Sequence, residues 1–157
     1  LEGKEPSLED LKKTLRAASG TLTSGETTAS VGIPSGMNEV VVTLDVTVIT
    51  TVDADDEVDF FFQTTFDDGV TWFDIANVHF TTSDNGATAK RIIRFKPAGA
   101  ATIVTPAQIG GTRISDNTIL NTMSVGDQMR IDLVFTNPGG TAPAAAYNAV
   151  LYARCAA

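Results

Sequence analysis

The residues best placed to do chemistry are Asp67 and Asp68, followed by Gly69, between the aromatic run Phe60 to Phe62 and Trp72. Two adjacent carboxylates beside an aromatic ring are the raw material of a sugar-binding or hydrolytic loop, because one acid can give a proton while the other stays ionised. The same residues also make a hairpin turn, in which Asp accepts backbone amides and Gly takes a left-handed backbone. Glycoside hydrolysis needs a carboxylate pair about 5 to 10 Å apart. The chain has nineteen acids, and the clustered ones fall in turn sequences where water keeps them all ionised. The turn reading is preferred, and no enzymatic activity is expected.

Other reactive groups are sparse. His79 is the single histidine; flanked by Val78 and Phe80, it reads as a strand residue, and one imidazole cannot supply the two or three nitrogens of ordinary zinc sites. Cys155, the single cysteine, has no partner for an internal disulfide and reads as an untethered thiol. Asp53 to Asp59, "DADDEVD", is dense in oxygen donors but lacks the glycine and glutamate spacing of an EF-hand loop, so a solvated acidic turn is the stronger reading than a calcium site. There is no Gly-x-Ser-x-Gly elbow, phosphate loop or His-Glu-x-x-His pattern. No cofactor and no metal are expected.

One change of period organises the elements around these groups. In residues 7–20, "SLEDLKKTLRAASG", Ser7 suits an N-cap, Asp10 lies three residues on, Leu8, Leu11 and Leu15 repeat at helical spacing, and Gly20 suits a C-cap. A short N-terminal α-helix over residues 1–20 is expected, acting as a docking arm through its Leu stripe. From Thr21 the period is two: Val40, Val42, Leu44, Val46 and Val48 face one way, and Met129, Ile131, Leu133 and Phe135 do the same in a later run. Further strands are expected in 20–33, 56–65, 71–82, 88–97 and 146–155, separated by the turns "DADD", "DDG", "SDNG" and "NPGG". The expected fold is all-β, an antiparallel β-sandwich over 21–157, with a jelly roll as the variant. The long segment 98–126 is expected to be a contact arm through Ile103, Val104, Ile119 and Leu120, or else a loop packed on its own domain.

Charge narrows the partners. A net charge of -8 argues against direct nucleic-acid binding, which needs a basic surface, and no apolar run approaches the roughly 20 residues of a membrane-spanning helix. From Glu39 to Asp84 there are eleven acids and no base, whereas Lys90, Arg91, Arg94, Lys96 and Arg113 follow with no acid between them. Either neighbouring strands pair these signs, or the surface is two-signed and steers copies or partners into register. The chain starts at Leu1, so a leader is not excluded.

Thr65, Asp67, Gly69, Thr71 and Trp72 match Ser/Thr-x-Asp-x-Gly-x-Thr-Trp, which resembles the Asp-box hairpin of sialidase-like propellers and related β-proteins. The resemblance implies a structural turn: Asp67 accepts turn amides, Gly69 takes a conformation a Cβ would hinder, and Trp72 packs down. Over Thr21 to Arg154, the order of a long Val/Thr strand, an aromatic strand, the hairpin with Asp68, Gly69, Thr71 and Trp72, a basic strand, and the turn Gly139, Gly140, Thr141 and Pro143 into the last strand is similar to small β-sandwich virion proteins of tailed bacteriophages. That resemblance implies a capsid decoration or cement protein, or a neck or tail part. Its partners would be the major capsid protein or other virion proteins and further copies of itself, its place the virion head surface, and Lys90, Arg91 and Arg94 would join the apolar groups as interface. The rival is a secreted carbohydrate-binding module or extracellular filament subunit, with Trp72, Phe73, Tyr147 and Tyr152 as stacking faces.

Overall fold

A computed structural model describes residues 11–95, 107–108, 111–120 and 125–155. Nine strands follow in order: β1 (Leu11–Arg16), β2 (Glu26–Thr27), β3 (Val31–Gly32), β4 (Glu39–Thr50), β5 (Glu57–Thr65), β6 (Phe73–Thr81), β7 (Ala89–Phe95), β8 (Gln128–Thr136) and β9 (Ala144–Arg154), with a 3-10 turn at Thr82–Asp84. They form two antiparallel sheets. The first has the order β1-β9-β4-β7; the second has the order β2-β8-β5-β6, with β3 also on β8.

Alternation makes each sheet apolar on one side, and those sides meet. Val40, Val42, Leu44, Val46, Ile93, Phe95, Ala149 and Leu151 from the first sheet share one cluster with Val58, Phe60, Phe62, Val78, Phe80, Met129, Ile131 and Leu133 from the second. Aromatic edges cross the gap: Phe60 and Tyr147 have ring centroids 4.9 Å apart at 75°, and Phe62 and Phe95 lie 6.4 Å apart. Val48 leaves the expected inward series. A register shift between Val46 and Val48 inserts one residue against β9, so Val48 is exposed and Ile49 is buried instead.

The N-terminal helix is a correction. Leu11–Arg16 is a strand paired with β9, from Leu11 opposite Ala153 to Arg16 opposite Ala149. Leu11 and Leu15 are four residues apart, an even spacing that puts both on one side of a strand as well as of a helix, so this pair could not separate the two. The open edge of β9 decides it by supplying a hydrogen-bonding partner that a marginal helix lacks. Ser7, Leu8 and Asp10 lie outside the described residues. Leu15 is buried and Leu11 packs against the core, so Leu15 is withdrawn from any docking role. Arg16 locks the strand down: its guanidinium donates to the Tyr147 carbonyl at 2.6 Å and to Ser19 at 2.8 Å, and pairs with Glu26 of the second sheet at 3.1 Å.

Leu15→Ala should lower unfolding free energy by about 2–5 kcal/mol, as core truncations do, whereas Thr14→Ala on the exposed side should change it by less than about 0.5 kcal/mol. Urea denaturation of the two variants checks this; equal, small effects would return the segment to the role of a detachable arm.

Candidate functional site

The hairpin between β5 and β6 contains the acid pair. The Asp67 carboxylate takes the Thr65 hydroxyl at 2.7 Å and the Thr71 amide at 2.8 Å, while Thr65 Oγ1 accepts the Gly69 amide at 3.0 Å. Gly69 has φ +89°, a left-handed conformation open to glycine, and Trp72 Nε1 donates to its carbonyl at 3.0 Å. All five residues of the turn motif therefore meet in one interlocked turn. The Thr71 amide, with the Thr71 and Thr65 hydroxyls, holds the Asp67 carboxyl below its ordinary range. Asp68 accepts from Gln128 at 2.9 Å, so the two acids are bonded to different groups. Asp53 and Asp56 are likewise turn caps: Asp53 accepts the Thr141 amide, and Asp56 accepts the Asp53 amide at 3.1 Å.

The outer side of the second sheet carries buried polar groups. Asp74 has no exposed surface. Arg113 reaches it from the long connection at 2.7 and 3.0 Å, bonds Asp132 at 3.1 Å and lies 3.7 Å over the Phe61 ring. Gln63 joins Asp74 to Arg130 at 2.9 and 2.8 Å, and Arg130 stacks on Trp72 at 4.1 Å. Backbone bonds from Asp74 to Ala107, Asn77 to Thr118 and Leu120 to Ile75 lay the connection along the free edge of β6. The described part of segment 98–126 thus packs on its own domain. Of its four arm residues, Leu120 is half-buried, Ile119 is 42% exposed beside β6, and Ile103 and Val104 lie outside the described residues.

His79 stands on the same side. Its Nδ1 is 2.7 Å from Asp59 and its Nε2 3.5 Å from Asp116. Burial alone would lower its pKa, but Asp59, Asp116 and Glu57 outweigh that and hold it above the ordinary value. Glu57, Asp59 and His79 are the one group among the described residues whose side chains could converge on a metal ion.

The outer side of the first sheet is different in kind. Register sets Lys12, Tyr152, Val41 and Arg94 in one row, Thr14, Val150, Thr43 and Ile92 in the next, and Asn148, Asp45 and Lys90 in a third. Ile92 is 76% exposed and Tyr152 38%, and a shallow hollow of about 400 Å³ lies over Val41, Thr43, Ile92 and Tyr152. The strands of this sheet carry seven Lys or Arg and two acids; those of the second carry five acids and one Arg. The connections 51–56, 82–88 and 137–143, tied together by Thr82 to Asp53 and Thr141 to Asp53, hold Asp53, Asp55, Asp56 and Asp84 and no base.

Sign pairing within the sheet also occurs. The buried Glu39 is bonded by Arg154 at 2.7 Å and Arg94 at 2.9 Å, in that order the causes of its lowered pKa, and Asp45 sits opposite Lys90. Arg94 is therefore bound to its own domain, Arg91 lies at the edge 5.8 Å from the Phe80 ring, and Lys90 is exposed. Of the four aromatics considered for sugar stacking, Tyr147 is buried, Trp72 lies under Arg130, and Phe73 sits 6.3 Å from Phe66. Tyr152 stands on the basic face. Sequence reasoning missed Glu39, Asp74 and Arg113 as partners; that Arg113 is an isolated base inside a small-residue stretch marked it as unusual but did not identify Asp74 as its partner.

Compared with protein-family profiles, curated proteins and solved structures, the chain matches none at a significant level.

Because the Asp67 pKa is lowered on folding, its contribution is present above the ordinary carboxylate value near 3.8 and is lost as pH falls through the folded value. Asp67→Ala should lower the melting temperature at neutral pH, and the gap to the wild type should shrink below about pH 4. Thermal unfolding across pH checks this; an unchanged melting temperature at neutral pH would remove Asp67 from the architecture.

Proposed function

We propose that this protein is a β-sandwich assembly protein that works by contact with further copies of itself and with a larger shell. On the resemblance of its strand order and turns to small virion proteins of tailed bacteriophages, we assign it to decoration or cementing of a capsid head, with no catalytic step. The observation that carries the contact reading is the exposed apolar and basic face around Ile92 and Tyr152 in a chain whose remaining surface is acidic. An exposed isoleucine between Lys90 and Arg94 on β7, with Lys12 beside Tyr152 across the same face, fits a surface that is covered in use, and the acidic end formed by Asp53, Asp55 and Asp84 is its complement on a second copy. Apolar contact would supply most of the affinity, and charge the orientation and the salt dependence.

Ile92→Asp should weaken self-association, or binding to phage shells stripped of their outer proteins, by at least about tenfold, the size expected of a central apolar contact. Lys12→Glu with Lys90→Glu should weaken it mainly at low salt. Arg94 is left intact because reversing it would set a second carboxylate against buried Glu39. Sedimentation equilibrium and shell co-sedimentation read both. A protein that stays monomeric and binds no shell, or variants that associate like the wild type, would overturn the reading.

A further inference from the structure

We propose that Glu57, Asp59 and His79 form a binding site for a first-row divalent transition metal ion, with Zn²⁺ as the reference occupant, on the outer side of the second sheet. The inference is independent of the assembly reading. Asp59 and His79 are directly opposite in the β5–β6 ladder, and Glu57 is two residues from Asp59 on the same side. One donor atom from each lies within 4.8 Å of the others. Ligands held at about 2.0–2.2 Å from zinc are roughly 3 Å from one another, so the 2.7 Å between Asp59 Oδ1 and His79 Nδ1 needs only a small opening to admit an ion. The pairing of adjacent strands brings the three together without a loop rearrangement.

What separates this cluster from an ordinary ion pair is the second layer of partners. A histidine that ligates through one nitrogen gives its other N–H to a carboxylate in many metal sites, which fixes the ring. Here Nδ1 faces Asp59, while Nε2 faces Asp116 at 3.5 Å. The ligating carboxylate is itself held, since Asn77 Nδ2 donates to Asp59 Oδ1 at 3.0 Å. Asp116 is held through its neighbour Asn117, which accepts the His79 amide at 3.0 Å and donates its own amide to Asn77 Oδ1 at 3.0 Å. Asn117 adopts φ +51° to do so, a left-handed conformation that Asn tolerates. Donor chemistry selects the ion: an imidazole nitrogen suits Zn²⁺, Co²⁺ or Ni²⁺ and suits Ca²⁺ and Mg²⁺ poorly, and two carboxylates balance a divalent charge. Three protein ligands leave a position for water. An ion there would join β5 to β6 and, through Asp116, fasten the 111–120 connection to the sheet.

The test uses chelator-treated protein carrying Cys155→Ser, so that the exposed thiol contributes nothing. Titration calorimetry with ZnCl₂ should give one site per chain, and the melting temperature should rise on binding. Co²⁺ should give a visible absorption band of low coordination number. His79→Ala should abolish the site, Glu57→Gln at its half-buried position should weaken it while leaving the fold intact, and Asp116→Asn should weaken it by about 10- to 100-fold. No binding of Zn²⁺, binding unchanged in both His79→Ala and Glu57→Gln, or Ca²⁺ binding as tight as Zn²⁺ would each overturn the proposal.

Discussion

The inner sides of two antiparallel sheets must close on each other, and most other features follow from that closure. Neither sheet could keep Val42, Leu44, Phe60 and Phe62 in water, since each buried side chain of this size contributes about 1.5–3 kcal/mol. β9 shows how the gap is filled. Ala145, Ala149 and Ala153 are fully buried on the first sheet, and small side chains there leave room for Tyr147 on the same strand to reach Phe60 across the gap. Ring edges meeting ring faces then add to the area term.

Closure assigns every remaining polar group to an outer side, an edge or a connection. On the second sheet the outer side is itself covered in part, which is how Asp74 comes to be a buried charge. A buried carboxylate without a partner is strongly unfavourable, and the partner here is Arg113, distant in sequence and delivered by the long connection. The same connection satisfies the free edge of β6 through Ala107, Thr118 and Leu120, the kind of edge that otherwise invites pairing with another chain. Arg113 also lies over Phe61, so the outward aromatic of the Phe60 to Phe62 run is covered by a guanidinium. One connection therefore answers a buried charge, an open edge and an exposed ring.

Legibility in the sequence tracked the range of the interaction. The long strands and their turns are local patterns, and β4, β5, β6, β7, β8 and β9 appear where alternation put them, with left-handed backbone at Asp55, Gly69, Gly86 and Gly140 in the expected turns. The Asp67 hairpin was readable because its bonds span no more than four residues. Four features were not readable. β1 depends on the open edge of β9, more than 130 residues away in sequence. The Val46–Val48 shift depends on the partner strand. The Arg113 bonds to Asp74 and the three-residue cluster at His79 exist only once strands and connection are assembled. The count of one histidine was right and its consequence incomplete, because strand pairing supplies two carboxylates beside it.

If copies pair as proposed above, electrostatics decides between the ways of pairing them. β7 is an edge strand of the first sheet among the described residues, and an open edge favours two-fold pairing of a strand with its own copy. An antiparallel β7–β7 pair centred on Ile92 would set Lys90 opposite Arg94 on both sides of the axis, and like charges directly across a ladder are destabilising. The basic residues of this edge therefore oppose a symmetric sheet-to-sheet dimer. The acidic end at Asp53, Asp55 and Asp84 has no base of its own and meets no such repulsion from the Lys12, Lys90 and Ile92 face. Contact between unlike faces is heterologous, and such contacts close into rings or continue as arrays according to their rotation. Under the proposed assembly, a chain with one basic apolar face and an acidic remainder would favour repeated, directional contact over an isolated two-fold pair.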